Sequence, residues 1–250
     1  ETADAISAAV AGSWRNPTTL TAADLAGYRA KERPAVCGAY RGYRICGMGL
    51  PSSGAVTILQ MLGMLERFDL KAMGPDDPHA WHLIAEAMQL AYADRDLYLG
   101  DSDFVAVPLA GLLDRAYLAK RSRLIAADHA LGRYEPGTPP GAQARTLAPS
   151  SEVPATTHFV AVDGAGDAVT MTSTVEGPFG SQLVAGGFVL NNELTDFSFA
   201  PEKDGAPVAN RVEAGKRPLS SMSPTLVYGP DGKLLLALGS AGGKRIIMHV

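Results

Sequence analysis

Apolar positions follow a helical period through the first half of the chain and an alternating period through most of the second. Ile58, Met61, Leu62 and Leu65 recur at helical spacing just past the tight turn "LPSSG", so a helix is predicted to open there. Ile84, Met88, Ala91 and Tyr92 mark one face of a longer helix. Asp77 caps it, Pro78 takes its first position and Gly100 closes it. A shorter helix is expected in "TTLTAADLAGYRAKE", with Thr21 as N-cap. Residues 37–48 read as a hairpin about a two-residue turn at Arg41 and Gly42. After Thr156 the chain reads as strands, over 158–163, 168–175, 187–190, 224–228 and 234–239.

Between the two regimes the composition shifts. "RYEPGTPPGAQARTLAPSSEVP" carries five prolines with Gly and Ser among them, which predicts an exposed, mobile connector. The chain therefore divides into a helix-rich part, 1–155, with its linker at 133–155, and a strand-rich part, 156–250. No internal repeat or low-complexity segment interrupts either part.

Composition narrows the function classes. The chain is 46% hydrophobic and 19% charged, with a formal net charge of -4. It has no basic cluster of the kind phosphate binding needs, so nucleic acid is not an expected partner. No apolar run approaches the roughly 20 residues of a membrane-spanning helix. The first residues lack the basic-then-apolar pattern of a signal peptide, so any export signal is expected upstream. The hairpin register sets Cys37 opposite Cys46, where a cross-strand disulfide is geometrically open. That pairing would suit a periplasmic or secreted protein, without excluding the cytoplasm. Two small apolar side chains packed in a sheet is the equal alternative.

Several common chemistries are missing. His79, His82, His129, His158 and His249 show no metal-ligand spacing, and neither cysteine sits in a metal or redox motif. "GSAGGKR" fails as a phosphate loop because Leu238 and Arg245 stand where Gly and a hydroxyl are required. There is no G-x-S-x-G elbow. Threonine chemistry remains. A Thr hydroxyl is a weak nucleophile unless a base lies within reach, and one solution is to free its own α-amine by cutting the peptide bond before it. In "PATTHFVAVDGAGDAVTMTST" a five-residue loop at 163–167 would set Thr156 opposite Thr174. A four-residue loop would set Thr157 there, and spacing alone leaves both open.

Taken with "FGS", "NNELTDFS", "KRPLSSMSPT" and "GSAGG", and with "DLAGYRAKERP", "YRGY", "LPSSG" and "AYADRDLYLGD" upstream, that stretch resembles the γ-glutamyltransferase family over essentially the whole chain. The resemblance implies an α+β fold, the four-layer αββα sandwich of N-terminal-nucleophile hydrolases, present as a partial copy. It implies a precursor that cuts itself between Ala155 and Thr156 into a large and a small subunit that stay together as a heterodimer. Thr156 matches the nucleophile, and Thr174 the hydroxyl that bonds it. Glu193 and Asp196 match the acceptors for the substrate ammonium, Ser220 and Ser221 the donors to its carboxylate, and Gly242 and Gly243 the oxyanion donors. The implied substrate is glutathione-like, the acceptor is water, an amino acid or a peptide, and no metal or organic cofactor is implied.

This chain departs from the family pattern in places. Glu176 stands where an asparagine helps to hold the glutamyl amino group, and Ala55 and Ala241 replace a glycine and a proline. The family's front half, with an arginine that clamps the substrate carboxylate, has no counterpart here. Two other expectations stand beside the first: an acylase of the same fold for glutaryl-cephalosporin-type amides, and an uncleaved homologue serving as a binding or structural subunit.

Overall fold

The computed structural model describes residues 1–147 and 155–250. The helices are α1 (Thr2–Ala11), α2 (Ala22–Gly27), α3 (Gly54–Leu65), α4 (Leu70–Met73), α5 (Pro78–Tyr98), α6 (Leu109–Leu112), α7 (Arg115–Ser122) and α8 (Ile246–His249). The first strands are β1 (Val36–Tyr40), β2 (Tyr43–Gly47), β3 (Thr157–Val162) and β4 (Ala168–Ser173). Short pairs follow, β5 (Val184–Ala185) with β6 (Phe188–Val189) and β7 (Glu202–Lys203) with β8 (Ala206–Pro207). The last strands are β9 (Thr225–Tyr228) and β10 (Leu234–Leu238).

The β1–β2 hairpin forms as its turn residues dictate. Arg41 and Gly42 both hold positive φ, 51° and 87°, the pattern of a two-residue hairpin turn. Tyr40 then pairs with Tyr43 and Cys37 with Cys46, and the two cysteines are bonded. Strand β2 pairs onward with β9, and β9 with β10, giving an antiparallel sheet of order β1-β2-β9-β10. A sheet joining residues 36 to 238 is the feature least visible in sequence.

Helix α3 is buried on nearly every side because it packs between that sheet and the helices α5 and α7. Gly54 at its start faces Ser223 so closely that any side chain would collide with it. Asp77 caps α5 by accepting from His79 N at 2.8 Å, with Pro78 following as expected. The expected apolar face of α5 needs correction. Ala91 is buried, but Ile84, Met88 and Tyr92 are only half-buried. The buried stripe runs through Leu83, Ala87, Leu90 and Ala91, and it takes in the polar side chains of Glu86, Asp94 and Arg95.

Those polar groups also correct the reading of the connector. Its first part is tied down: Tyr134 OH donates to Glu86, and Gly137 N donates to Asp94 Oδ1 at 2.7 Å. Tyr98 OH in turn donates to Gly137 O at 2.7 Å. A proline-rich composition gave no sign of these bonds, because the partners are buried carboxylates on a helix about forty residues away. Residues 148–154 of the expected linker lie outside the described residues.

The β3–β4 hairpin settles the register. Val162 pairs with Ala168 across the five residues 163–167, and Asp163 Oδ1 accepts from Ala165 N and Asp167 N at 2.9 and 3.0 Å. The hairpin docks alongside β10, where Thr170 Oγ1 donates to Leu238 O at 3.2 Å. Of the four expected layers, the described residues form a helical layer, a four-stranded sheet and this separate hairpin, a mixed α/β partial copy.

Candidate active site

Four separate stretches meet at one cleft: the entry to β3, the exit from β4 through residue 196, the loop before β9, and the turn after β10. Its lining includes Thr156, Thr174, Glu176, Glu193, Asp196 and Gly243, with Ser220 and Ser221 beside them. Of the residues singled out from sequence, only Gly242 does not line it. The cavity itself is small, about 20 Å³, room for little more than a water molecule.

The hairpin register places Thr156 opposite Thr174, since Thr157 pairs with Ser173. The Thr174 hydroxyl is then fully committed. It accepts from Glu176 N at 2.8 Å and, at a longer 3.4 Å, from Thr156 Oγ1. Its own proton goes to the carbonyl of Ala155 at 2.7 Å. A hydroxyl has two acceptor sites and one proton, so all three are filled and its orientation is fixed. Thr174 thus joins the hydroxyl of Thr156 to the carbonyl of the peptide bond that precedes it. Thr157 points away in the strand. Thr170 and Thr172 hold the ring of His158 through Nε2 and Nδ1, at 3.2 and 2.9 Å, and burial lowers the pKa of that imidazole.

Glu176 is buried at a φ of 72°, a left-handed conformation unusual for a residue with a side chain. Its carboxylate accepts from Asn192 Nδ2 at 2.7 Å, and Asn192 Oδ1 accepts from Gly177 N at 2.8 Å. Asn192 fixes the geometry of this wall, yet sequence reasoning did not single it out. Its only signal was its place inside "NNELTDFS". The next residues form a single 3-10 turn, Glu193–Asp196, which puts both carboxylates on the cleft. Three acidic side chains therefore line one small space.

The serine wall is built by pairing two distant loops. Ser53 N donates to Ser220 O at 2.8 Å and Ser220 N to Pro51 O at 3.1 Å, so "LPSSG" lies against "PLSSMSP". Ser220 Oγ accepts from Met222 N at 3.2 Å, and Ser221 Oγ accepts from Arg95 at 2.7 Å. Each hydroxyl has its proton left over from these bonds, as a donor toward the cleft needs. Gly242 and Gly243 hold positive φ, 134° and 57°, at the turn that leads into α8. No group of three or more metal-ligating side chains occurs among the described residues. No described helix is long and apolar enough to cross a membrane.

The chain is similar to known proteins over most of its length. The model of the family described as gamma-glutamyltranspeptidase matches residues 1–250. The glutathione hydrolase proenzyme of Escherichia coli (strain K12) is 44% identical over 248 residues, spanning 94% of this chain and 40% of that protein. The acylase ACY 1 proenzyme of Pseudomonas sp. (strain V22) is 37% identical over 233 residues, spanning 92% and 39%. Among solved structures, the cephalosporin acylase from Bacillus halodurans superposes with a TM-score of 0.76 at 27% identity, covering 92% of this chain and 38% of that one. The chain thus spans about two fifths of the length of the curated relatives it matches.

Proposed function

The chain belongs to the γ-glutamyltranspeptidase family, and we propose that within the full-length protein it carries the nucleophile and most of the binding site for γ-glutamyl transfer. Thr156 acts first on the chain itself. Its hydroxyl attacks the carbonyl carbon of Ala155, whose oxygen Thr174 already polarises. The peptide nitrogen takes up the proton that the hydroxyl gives up and leaves as an amine, an ester forms, and water hydrolyses it, so that Ala155 ends in a carboxylate and Thr156 begins with a free α-amine and a restored hydroxyl. The cut separates a large-subunit part, 1–155, from a small-subunit part, 156–250. The small size of the cavity fits this order, because Ala155 is among the residues that line it while the 155–156 bond is intact.

The freed amine then serves as base for the Thr156 hydroxyl. The oxygen attacks the γ-carbonyl of the donor, and the oxyanion is met by N–H groups of the Gly242-Gly243 turn. The leaving amine takes up the proton, and an acyl-enzyme remains. Water resolves it by hydrolysis, and an amino acid or peptide amine resolves it by transfer. No metal or organic cofactor enters any of these steps.

The observation that carries the reading is the composition of the cleft around the Thr156–Thr174 pair. Glu176, Glu193 and Asp196 set acceptors suited to an ammonium on one side of the cleft, and Ser220 and Ser221 offer donors to an anion. A γ-glutamyl head group presents one of each. A glutaryl group, the acyl moiety for a cephalosporin acylase of this fold, keeps the same carboxylate but lacks the ammonium, so it offers nothing to the three acidic side chains. Intact mass of the purified full-length protein tests the reading. The wild type should yield two pieces meeting at 155–156, and Thr156→Ala a single chain without transfer activity. A Thr156→Ala protein that still cleaves there and transfers γ-glutamyl groups would refute it.

A further inference from the structure

Behind the serine wall stands a residue that no motif assigned. Arg95, on α5, has a fully buried side chain, and its guanidinium reaches Ser53, Asp96 and Ser221 among its partners. Nε donates to Ser53 Oγ at 2.9 Å, one terminal nitrogen to Asp96 Oδ1 at 2.9 Å, and the other to Ser221 Oγ at 2.7 Å. Ser53 Oγ passes the contact on by donating to Ser220 O at 2.7 Å. One planar fork thus touches Ser221 directly and Ser220 through a single hydroxyl.

We propose that Arg95 is the positioning residue of the carboxylate subsite: it sets the direction in which Ser221 donates and holds the Ser220–Ser221 backbone in place. The inference rests on the reading that these serines bind the α-carboxylate of the donor. A guanidinium has no acceptor, so Ser221 Oγ can only receive in that bond, and its proton is turned away from Arg95. Because Ser221 lines the cleft, the proton is presented to the substrate. The cation also lies one side chain behind an incoming carboxylate and strengthens the donor it holds. Arg95 itself does not line the cleft, whereas Ser220 and Ser221 do, so its effect on the carboxylate is carried by the serines. A lysine keeps the charge but cannot reproduce a planar three-way fork.

The experiment compares two anilides on the processed full-length protein. γ-Glutamyl-p-nitroanilide carries both the ammonium and the α-carboxylate, and 4-aminobutyryl-p-nitroanilide carries the ammonium alone. In the wild type, kcat/KM should favour the first. In Arg95→Lys that preference should fall roughly tenfold, mainly through the KM of the γ-glutamyl donor, while turnover of the 4-aminobutyryl donor changes little. In a Ser221→Ala background, Arg95→Lys should move the preference by clearly less than tenfold, the remainder passing through Ser53 to Ser220. Equal losses on both substrates, or full additivity with Ser221→Ala, would overturn the proposal and leave Arg95 a structural residue. A wild type with no preference for the carboxylate-bearing donor would instead overturn the parent reading of the serines, and this inference with it. If Arg95→Lys does not accumulate as processed protein, Asp96→Asn loosens the same guanidinium from a half-exposed position. It should lower the preference about twofold, and an unchanged preference there counts against the proposal.

Discussion

Glu176 shows how much one residue decides. Its backbone N–H helps to orient Thr174, while its carboxylate joins those of Glu193 and Asp196 at the cleft. An asparagine in its place would preserve the first role and remove the charge from the second. Glu176→Asn is therefore expected to lower the preference for γ-glutamyl over glutaryl anilide by about tenfold, the scale of one close charge pair in a partly desolvated site. The two kcat/KM values on purified variant and wild type check this, and equal changes on both substrates would show that the charge plays no part in selection. Sequence exposed Glu176 because it breaks a pattern. It exposed neither Asn192 nor Arg95 as site-building residues, since the bonds that define them reach across 16 and 126 positions.

Among the elements, the β3–β4 hairpin and α5 were legible to different degrees. Alternation gave both strands of the hairpin to within two residues. The choice between Thr156 and Thr157 needed the loop, where Asp163 gathers two N–H groups and closes five residues rather than four. Helix α5 was legible at its start through Asp77 and Pro78, but not on its inner face. Periodicity counts apolar residues, and this face buries Asp94. That carboxylate accepts from Tyr117 OH at 2.7 Å and Gln60 Nε2 at 3.1 Å as well as from Gly137 N, and it pairs with Arg121 at 3.2 Å. Burial first, then the bond to Asp94, raises the pKa of the Tyr117 phenol, which keeps it a donor. Removing the carboxylate leaves several buried groups unpaired at once. Asp94→Ala should cost about 3 kcal/mol of stability, read as a lower denaturant midpoint in the full-length protein. A loss under about 0.5 kcal/mol, the range of ordinary surface changes, would mean that this network does not anchor the connector.

At the scale of the whole molecule, the sequence reads as a helical half followed by a strand half, and the structure shows the halves threaded through each other. The junction between Ala155 and Thr156 falls between β2 and β9, yet those strands are neighbours in one sheet, paired from Arg44 with Tyr228 to Gly47 with Thr225. Such pairing is invisible to local pattern because nothing in either strand names its partner. Further ties cross the same junction. Asp101 Oδ2 accepts from Arg217 N at 2.9 Å, Tyr92 OH donates to Lys244 O, and Arg95 holds Ser221. Cutting the chain at 155–156 breaks one covalent bond and none of these. The two pieces of the processed protein are therefore expected to elute as one species in native buffer while running as two bands under denaturing conditions. They should also unfold in a single transition, because neither can keep the four-stranded sheet without the other. Separation of the pieces in native buffer, or two resolved transitions assigned to the separate pieces, would contradict a shared sheet as the bond between them.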